Sequence, residues 1–263
     1  MDARLRPDIP NMTGIEFEDN RGVIAAYGSA GPEILGEGRS LSELAVAAQA
    51  RLGDQALATP AVFAVPAWLN DMHREGVIER AREAGFKQPR LINRPAAVAL
   101  AHFASNPAEC ATFLVLELVG ARLDVAVVQL SPERFEILAT HGVREVEAGI
   151  LTSPAKFFES MEKPIQRALD DARVLTEELD DILLAGDAAP LRNVRDRMAT
   201  SFGREGSVLG RPEHTIALGA AVHAKLLKNV NLDAPSAKVP HESAGAGCGT
   251  ALFAILAIVW SAI

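Results

Sequence analysis

The sequence predicts an α/β fold built on parallel strands, and two observations support this prediction. The first is the stretch 61–103, which reads as a buried strand, an amphipathic helix, a short strand and an Ala-rich helix. Such a βαβα order implies a parallel sheet with a helix packed against it. The second is that both halves of the chain begin with strand-like runs in meander order and end in a strand and a helix. Two α/β halves are therefore expected.

The first half opens with two strand-like runs, 14–18 and 23–27, which are joined by the hairpin signal DNRG. The following segment 28–38 is rich in glycine and is expected to form a loop. A helix is predicted for 40–52, because a Ser followed three residues later by Glu43 forms a capping box and apolar residues recur at helical spacing.

Residues that typically end strands or cap helices separate the elements of the stretch 61–103. Pro66 ends an apolar run that contains β-branched residues, and the pair Asn70-Asp71 supplies an N-cap candidate. Gly85 is a candidate C′ residue, and Pro95 suits the first position of the next helix. The predicted elements are a strand at 62–65, a helix at 71–84, a short strand at 91–92 and a helix that opens at Pro95.

The second half is expected to begin with three strands, 111–118, 123–130 and 135–141, in a β-meander. A helix is predicted for 154–174, with four apolar residues on one face: Phe157, Met161, Ile165 and Leu169. The remaining predicted elements are a loop at 145–153, a strand at 180–185, a helix at 190–202 and a helix at 213–227.

Composition restricts the classes of function. The chain carries a net charge of −8 and no basic stripe, which argues against a nucleic-acid-binding surface. Its two cysteines, Cys110 and Cys248, give neither a disulfide framework nor metal-ligand spacing, so a reducing compartment is expected. The first ten residues lack the apolar run of a secretory signal. A cytoplasmic domain is therefore expected.

The segment 249–263, GTALFAILAIVWSAI, is almost continuously apolar. With the small residues before it, it would form a helix of roughly 27 Å at ~1.5 Å per residue, just short of the ~30 Å hydrocarbon core. We interpret it as a membrane-anchor candidate that follows a linker, 229–248, rich in Pro, Ser and Gly. A buried terminal helix and a frameshifted tail are the alternatives.

Several sequence blocks are more specific than the pattern of elements. VPAWLNDMHR, then AG, then INRPAAVALAHF resembles VPAYFNDAQR, AG and INEPTAAALAY in the ATPase domain of the heat shock protein 70 (DnaK-type) chaperone family. LVLELVGARLDVAVV is similar to that family's second phosphate segment, DLGGGTFDVS, and FEILATHG to the strand after it. LDDILLAGDAAPLRNVRDRMATSFG and RPEHTIALGAAVHA resemble the adenosine segment DDVILVGGQTRMP and NPDEAVAIGAAVQ. The blocks occur in family order from residue 61 to 227.

The resemblance implies an actin-like ATPase fold of two RNase H-like lobes, 13–110 and 111–228. It also implies that both lobes lack their outer wall subdomains, because the chain is short at 23–58 and between Gly149 and Pro154, where the family carries them. The lysine that the family places near the transferred phosphate is lost with the first wall.

The resemblance further implies a residual site for ATP or ADP with magnesium. The positions that match nucleotide-binding residues of the family are Gly14, Gly120, Arg122, Asp124, Gly186 and Asp187. Glu16 and Glu117 match the two metal-site aspartates. They remain acidic but are one methylene longer, which matters because Mg²⁺ demands near-ideal octahedral geometry.

Five substitutions make this site degenerate. Arg94 replaces the glutamate that positions water and metal in the family, which reverses the charge at a position that works by electrostatics. Val119 and Ala121 replace two loop glycines, at ~1 kcal/mol or more each where φ is positive. Arg122 replaces a threonine and would attract phosphate but compete with the metal. Asp187 brings a negative charge near the phosphates.

Pro66, Arg74 and Arg90 match positions that relay nucleotide state to a partner domain in the family. The alternative is a strand terminator and two solvated charges. The leading hypothesis is a pseudo-ATPase of the heat shock protein 70 type, an interaction module for protein partners that is tethered to a membrane. The alternatives are a working ATP-binding chaperone ATPase that assists protein folding and a truncated gene product without a function.

Overall fold

The computed structural model describes residues 12–120, 122–131, 135–143, 154–186, 188–208 and 212–229. These residues form two five-stranded sheets and six α-helices. The first sheet contains β1 (Thr13–Glu18), β2 (Arg21–Gly28), β3 (Gly31–Gly38), β4 (Pro60–Val65) and β5 (Gln88–Asn93). The second contains β6 (Ala111–Val119), β7 (Arg122–Leu130), β8 (Phe135–Val143), β9 (Asp181–Gly186) and β10 (Ser207–Val208). The helices are α1 (Leu41–Leu52), α2 (Asp71–Glu83), α3 (Arg94–Ser105), α4 (Pro154–Ala172), α5 (Ala188–Phe202) and α6 (Pro212–Asn229).

The two sheets have the same internal arrangement. In the first, the order is β3-β2-β1-β4-β5, with an antiparallel meander on one side and the parallel strands β1, β4 and β5 on the other. In the second, β8, β7 and β6 are antiparallel, whereas β6, β9 and β10 are parallel. This confirms the predicted α/β fold and agrees with the actin-like, two-lobed architecture that the resemblance implies.

The predicted N-cap at Asn70, the Ser40 cap and the C′ glycine at position 85 are confirmed. The side chain of Ser40 accepts a hydrogen bond from the N–H of Glu43 at 3.2 Å, and the side chain of Asn70 accepts one from the N–H of His73 at 3.0 Å. Both satisfy N–H groups that have no partner inside the helix. Gly85 follows α2 with a φ of +103°, a conformation that suits glycine because it has no Cβ.

The segment 28–38 is not the expected loop, because residues 31–38 form β3. The expectation rested on its glycines, and Pro32 in the same segment lacks the N–H that a paired strand residue donates. However, β3 is an edge strand with β2 on one side only, and an edge position tolerates a residue without an N–H. Gly31 and Gly38 lie at the two ends of the strand. The strand therefore depends on pairing with β2, which local composition does not reveal.

Helices α3 and α6 pack against each other between the two sheets, and we name this contact the α3–α6 crossing. Helix α6 lies on β1, β2 and β3 although it follows the second sheet in sequence, and α3 contacts β6 and β7. A Cβ on Gly219 would lie 1.7 Å from the carbonyl oxygen of Ala97, and a Cβ on Gly14 would lie 2.0 Å from the backbone nitrogen of Ala221. Only glycine permits these backbone contacts. The division into lobes at residue 110 stays a prediction.

The predicted C-terminal features fall almost entirely outside this structure. The apolar segment 249–263 lies outside the described residues, as does the linker 229–248 apart from Asn229, which ends α6. Among the helices of the described residues, none has the length and apolar character that a membrane crossing requires.

Candidate functional site

Two hairpin turns, one from each sheet, meet at the candidate site. The turn between β1 and β2 contains Asp19 and Asn20 with φ values of 47° and 60°, and the turn between β6 and β7 contains Gly120 with a φ of 58°. Arg122 bridges the turns: its Nη1 donates to Oε1 of Glu18, and its Nη2 donates to Oδ2 of Asp19 at 3.3 Å. The first and second sheets are therefore joined here by charge-assisted hydrogen bonds.

Arg94, the first residue of α3, lies behind these turns and is only 3% exposed. Its Nη1 donates to Oε2 of Glu18 at 2.6 Å and lies 3.4 Å from Oε1 of Glu117. Burial alone would lower the pKa of Arg94, but the surrounding glutamates outweigh this and raise it, so the guanidinium stays charged. Glu18 thus accepts hydrogen bonds from two guanidinium groups, one on each of its oxygens.

Three further carboxyl groups surround Arg94. Glu117 and Asp124 face each other across β6 and β7, and Oδ2 of Asp124 accepts a hydrogen bond from the N–H of Ala67 at 2.9 Å. Burial raises the pKa of Glu117 and the pKa of Asp124, while Arg94 opposes the shift in both. Burial also raises the pKa of Glu16 to about 7, again against the effect of Arg94.

The carboxyls of Glu117 and Asp124 act as one titrating pair. A hydrogen bond from Glu117 lowers the pKa of Asp124, against the larger effect of burial. Oδ1 of Asp124 is buried and has no hydrogen-bond partner among the described residues.

These groups form what we name the charged cluster: Glu16, Glu18, Arg94, Glu117, Arg122 and Asp124. The space left between its members is about 10 Å³, which is room for roughly one water molecule. Pro66 and Trp68, which follow β4, close one side of it. Within the described residues, no three His, Cys, Asp or Glu side chains are arranged so that they could hold a metal ion.

The structure brings together only part of the predicted nucleotide site. Gly120 lies in the turn beside the cluster, with open space where a Cβ would stand. Gly14 instead lies against α6, and Gly186 touches β6, since its Cβ would lie 1.9 Å from the carbonyl oxygen of Leu118. These two glycines serve close packing. Asp187 lies outside the described residues.

The three predicted relay residues lie in different environments. Pro66 borders the charged cluster. Arg74 is not a solvated charge, because its Nε donates to the carbonyl of Leu69 at 2.9 Å and its Nη2 donates to the side chain of Asn93 at 2.7 Å. Arg90 is exposed and donates only to the neighbouring carbonyl of Pro89, at 3.3 Å, among the hydrogen bonds of the described residues. A relay role for them stays a prediction.

Sequence reasoning missed two residues of this site. Glu18 lies at the centre of the cluster, and the available signal was an acidic residue in the first loop combined with Arg122 and Arg94 in two others. Trp68 was missed because its partner is distant in sequence: a Cβ on Gly142 of β8 would lie 2.7 Å from the Cβ of Trp68. A glycine inside a predicted strand region was the signal for that close approach.

The chain is similar to known proteins over most of its length. The family model described as Hsp70 protein matches residues 32–147 and 151–234. The chaperone protein HscA homolog of Chromobacterium violaceum is 27% identical over 244 residues, which cover 68% of this chain and 39% of the relative. The chaperone protein HscA of Pectobacterium carotovorum is 28% identical over 247 residues, which cover 71% of this chain and 40% of the relative. The chain thus spans about two fifths of the length of the curated relatives it matches.

Proposed function

Because the chain belongs to the Hsp70 family, we propose that it is a pseudo-ATPase, an interaction module in which internal ion pairs take the place of a nucleotide. The observation that carries this proposal is that Glu18 accepts hydrogen bonds from Arg94 and from Arg122. One carboxylate thus occupies both cations at the junction of the two hairpin turns. A phosphate group would have to displace it from both.

The electrostatics of the cluster oppose magnesium as well as phosphate. Arg94 is buried and stays cationic, so it repels a divalent cation at the position where the family carries a carboxylate. Burial raises the pKa of Glu117 and the pKa of Asp124, which disfavours the ionised carboxylate oxygens that a hard cation prefers. The residues present therefore fit neither the metal nor the phosphates, and no phosphoryl-transfer step is assigned to them.

The size of the site supports the same proposal. Roughly 10 Å³ of free space holds one water molecule and no phosphate group. Val119 narrows this space further, because its side chain borders the space at a position where the corresponding loop of the family carries glycine. A nucleotide would require the two turns to separate, and Arg122 holds them together.

Thermal unfolding with and without nucleotide tests the proposal. Magnesium with ADP or ATP at millimolar concentration is expected to leave Tm unchanged, because a ligand that does not bind the folded state cannot stabilise it. ATP turnover is expected at the background of a heat-inactivated sample. HscA from Pectobacterium carotovorum, assayed in parallel, controls for the reagents. A magnesium-dependent turnover that is lost in Glu117→Gln would overturn the proposal.

A chaperone ATPase is the second candidate, and the similarity to proteins named chaperone protein HscA favours it. Under this candidate the two turns open, ATP or ADP binds with magnesium, and protein clients are the partners. The same assay separates the candidates, because a chaperone ATPase predicts a rise in Tm with nucleotide, whereas the pseudo-ATPase predicts no change. Protein partners are proposed under both candidates.

Membrane tethering through 249–263 is a separate proposal, supported by the apolar sequence of that segment alone. Fractionation of cells that express the full chain, or the chain without 243–263, tests it. Tethering predicts that only the full chain sediments with membranes and that alkaline carbonate does not release it. Release by carbonate would contradict an integral segment.

A further inference from the structure

A second cavity lies beside the charged cluster on the side of the first sheet. Its volume is about 390 Å³, which is within the range of sites for small molecules. It opens between the end of β4, the helix α2 and the β1–β2 turn, and both apolar and polar side chains line it. The apolar side chains that line it include Phe17, Leu41, Phe63, Leu69 and Val77.

One buried donor at this cavity has no acceptor. Arg94 lines the cavity as well as the charged cluster, and its Nη1 is used by Glu18 and Glu117. Its Nε is shielded from solvent and makes no hydrogen bond to any part of the chain that the structure describes. A buried donor without a partner destabilises the folded state, so an acceptor supplied by a ligand would be favoured here.

The charges around the cavity favour an acceptor with a single negative charge. Arg80 and Arg94 line it, and so do the acidic residues Glu18 and Asp19. Glu18 is paired with both Arg94 and Arg122, and Asp19 is paired with Arg122. Arg80 is therefore the lining arginine that forms no ion pair with a carboxylate of the described residues. Its single positive charge would attract one carboxylate and would repel a cationic head group.

We propose that this cavity binds a small amphiphilic monocarboxylate, with its carboxylate at Arg94 and its apolar body against Phe63, Leu69 and Val77. The proposal goes beyond the pseudo-ATPase assignment and does not depend on it. A nucleotide that binds at the two turns and a carboxylate that binds in this cavity are separable observations.

A head-group series tests the ligand chemistry. Octanoate, 1-octanol, octylammonium and octyl phosphate share one alkyl chain and differ in charge. Each is titrated, below the concentration at which it forms micelles, into the full-length Trp260→Phe chain. Trp68 borders the cavity and is then the only tryptophan, so its emission reports occupancy. Octanoate is expected to shift the emission saturably and to bind at least tenfold more tightly than the other three.

Matched substitutions test the location. Val77→Phe fills the cavity and is expected to weaken octanoate binding at least tenfold, whereas Val46→Phe, at a residue 64% exposed on α1, is expected to leave it unchanged. Arg80→Gln is expected to weaken binding several-fold. Arg82→Gln is the control on the same helix, because Arg82 is exposed and does not line the cavity.

Three outcomes would overturn the proposal. They are equal binding of octanoate and octylammonium, binding that survives Val77→Phe, and no saturable octanoate signal from the folded chain. The titration is repeated with magnesium and ADP present. If ADP raises Tm and octanoate still binds with the same affinity, the pseudo-ATPase proposal fails and this one stands.

Discussion

The α3–α6 crossing and the charged cluster both join the two sheets, but they do so by opposite means. The crossing uses small residues whose backbones touch, as at Gly219 and Ala97, and it contains no charge in that contact. The cluster uses carboxylates and guanidinium groups that are stable only while they are paired. The crossing thus maintains the fold by close packing, whereas the cluster is the region to which the proposed function assigns the exclusion of a nucleotide.

The two regions should therefore respond differently to substitution and to pH. Close packing fails when volume is added, and it is insensitive to protonation. Buried ion pairs fail when one partner is removed, and their stability follows the proton occupancy of the carboxyls. The following predictions use these differences, from the largest expected effect to the smallest.

Adding a side chain at the crossing should have the largest effect. Gly219→Val places a Cβ 1.7 Å from a carbonyl oxygen, which the helices can relieve only by separating. We expect the free energy of unfolding to fall by about 4 kcal/mol or more, since the contact is with backbone and cannot repack. Urea denaturation measures this. Gly76→Ala is the control: it lies in α2 with open space around it, and it should stabilise by up to about 1 kcal/mol.

Removing the buried cation should have the next largest effect. Arg94→Met leaves Glu18 and Glu117 without their buried partner, and we expect a loss of about 3 kcal/mol at pH 7. The loss should shrink below pH 6, because the carboxyls can then be neutralised by protons. Chemical denaturation of the unchanged protein and of Arg94→Met at pH 5.5 and at pH 8 measures the loss at each pH. An equal loss at pH 5.5 and pH 8 would contradict the electrostatic account.

The pH dependence of the unchanged protein should be smaller. The folded-state pKa of Glu16 is raised to about 7, so the folded state binds more protons than the unfolded state, and this contribution is complete below about pH 4.5 and is lost as the pH rises through 7. His223, whose pKa burial lowers to about 4, acts in the opposite direction, but only below about pH 6.5.

Between pH 6.5 and 8 the raised pKa values of Glu16 and Glu117 outweigh the lowered pKa values of His102 and His223, so stability should fall by about 1 kcal/mol. Glu16→Gln should reduce this slope. Chemical denaturation at four pH values in this window measures both slopes, and a rise in stability with pH would contradict the account.

The bridge between the two turns should matter least for stability. Arg122 is 29% exposed, and Glu18 keeps its second partner when Arg122 is lost, so Arg122→Gln should cost about 1 kcal/mol. Arg82→Gln removes a well-exposed pair with Glu75 and should cost less than about 0.5 kcal/mol. A difference in Tm between the two variants checks the order. Equal values would show that the bridge between the sheets adds no stability.

The crossing and the cluster also differ in how far the sequence predicts them. The helices were predictable from local signals such as Ser40, Asn70 and Gly85, because caps and C′ glycines act within a few residues. Strand β3 was not, because it depends on pairing with β2. The cluster was partly predictable: Arg94, Arg122 and Glu117 were recognised as substitutions in two separate segments of the sequence.

What the sequence could not provide is the contact of those segments with Glu18. Glu18 is 76 residues from Arg94 and 104 residues from Arg122, and only the fold brings their side chains together. In the segment that the sequence indicates as a lost phosphate loop, the carboxylate of Glu18 pairs with Arg94 and Arg122, two arginines that stand where the family carries other residues. Considered separately, the substitutions Arg94, Arg122 and Glu117 indicate only that the nucleotide site is altered.

Titration calorimetry with ADP and magnesium tests the central claim most directly, since it measures binding without requiring catalysis. With the cluster intact, we expect no heat above dilution up to millimolar ADP, both in the full-length protein and in Arg82→Gln. A saturable, magnesium-dependent isotherm with one site per chain would contradict the claim that the cluster replaces the nucleotide.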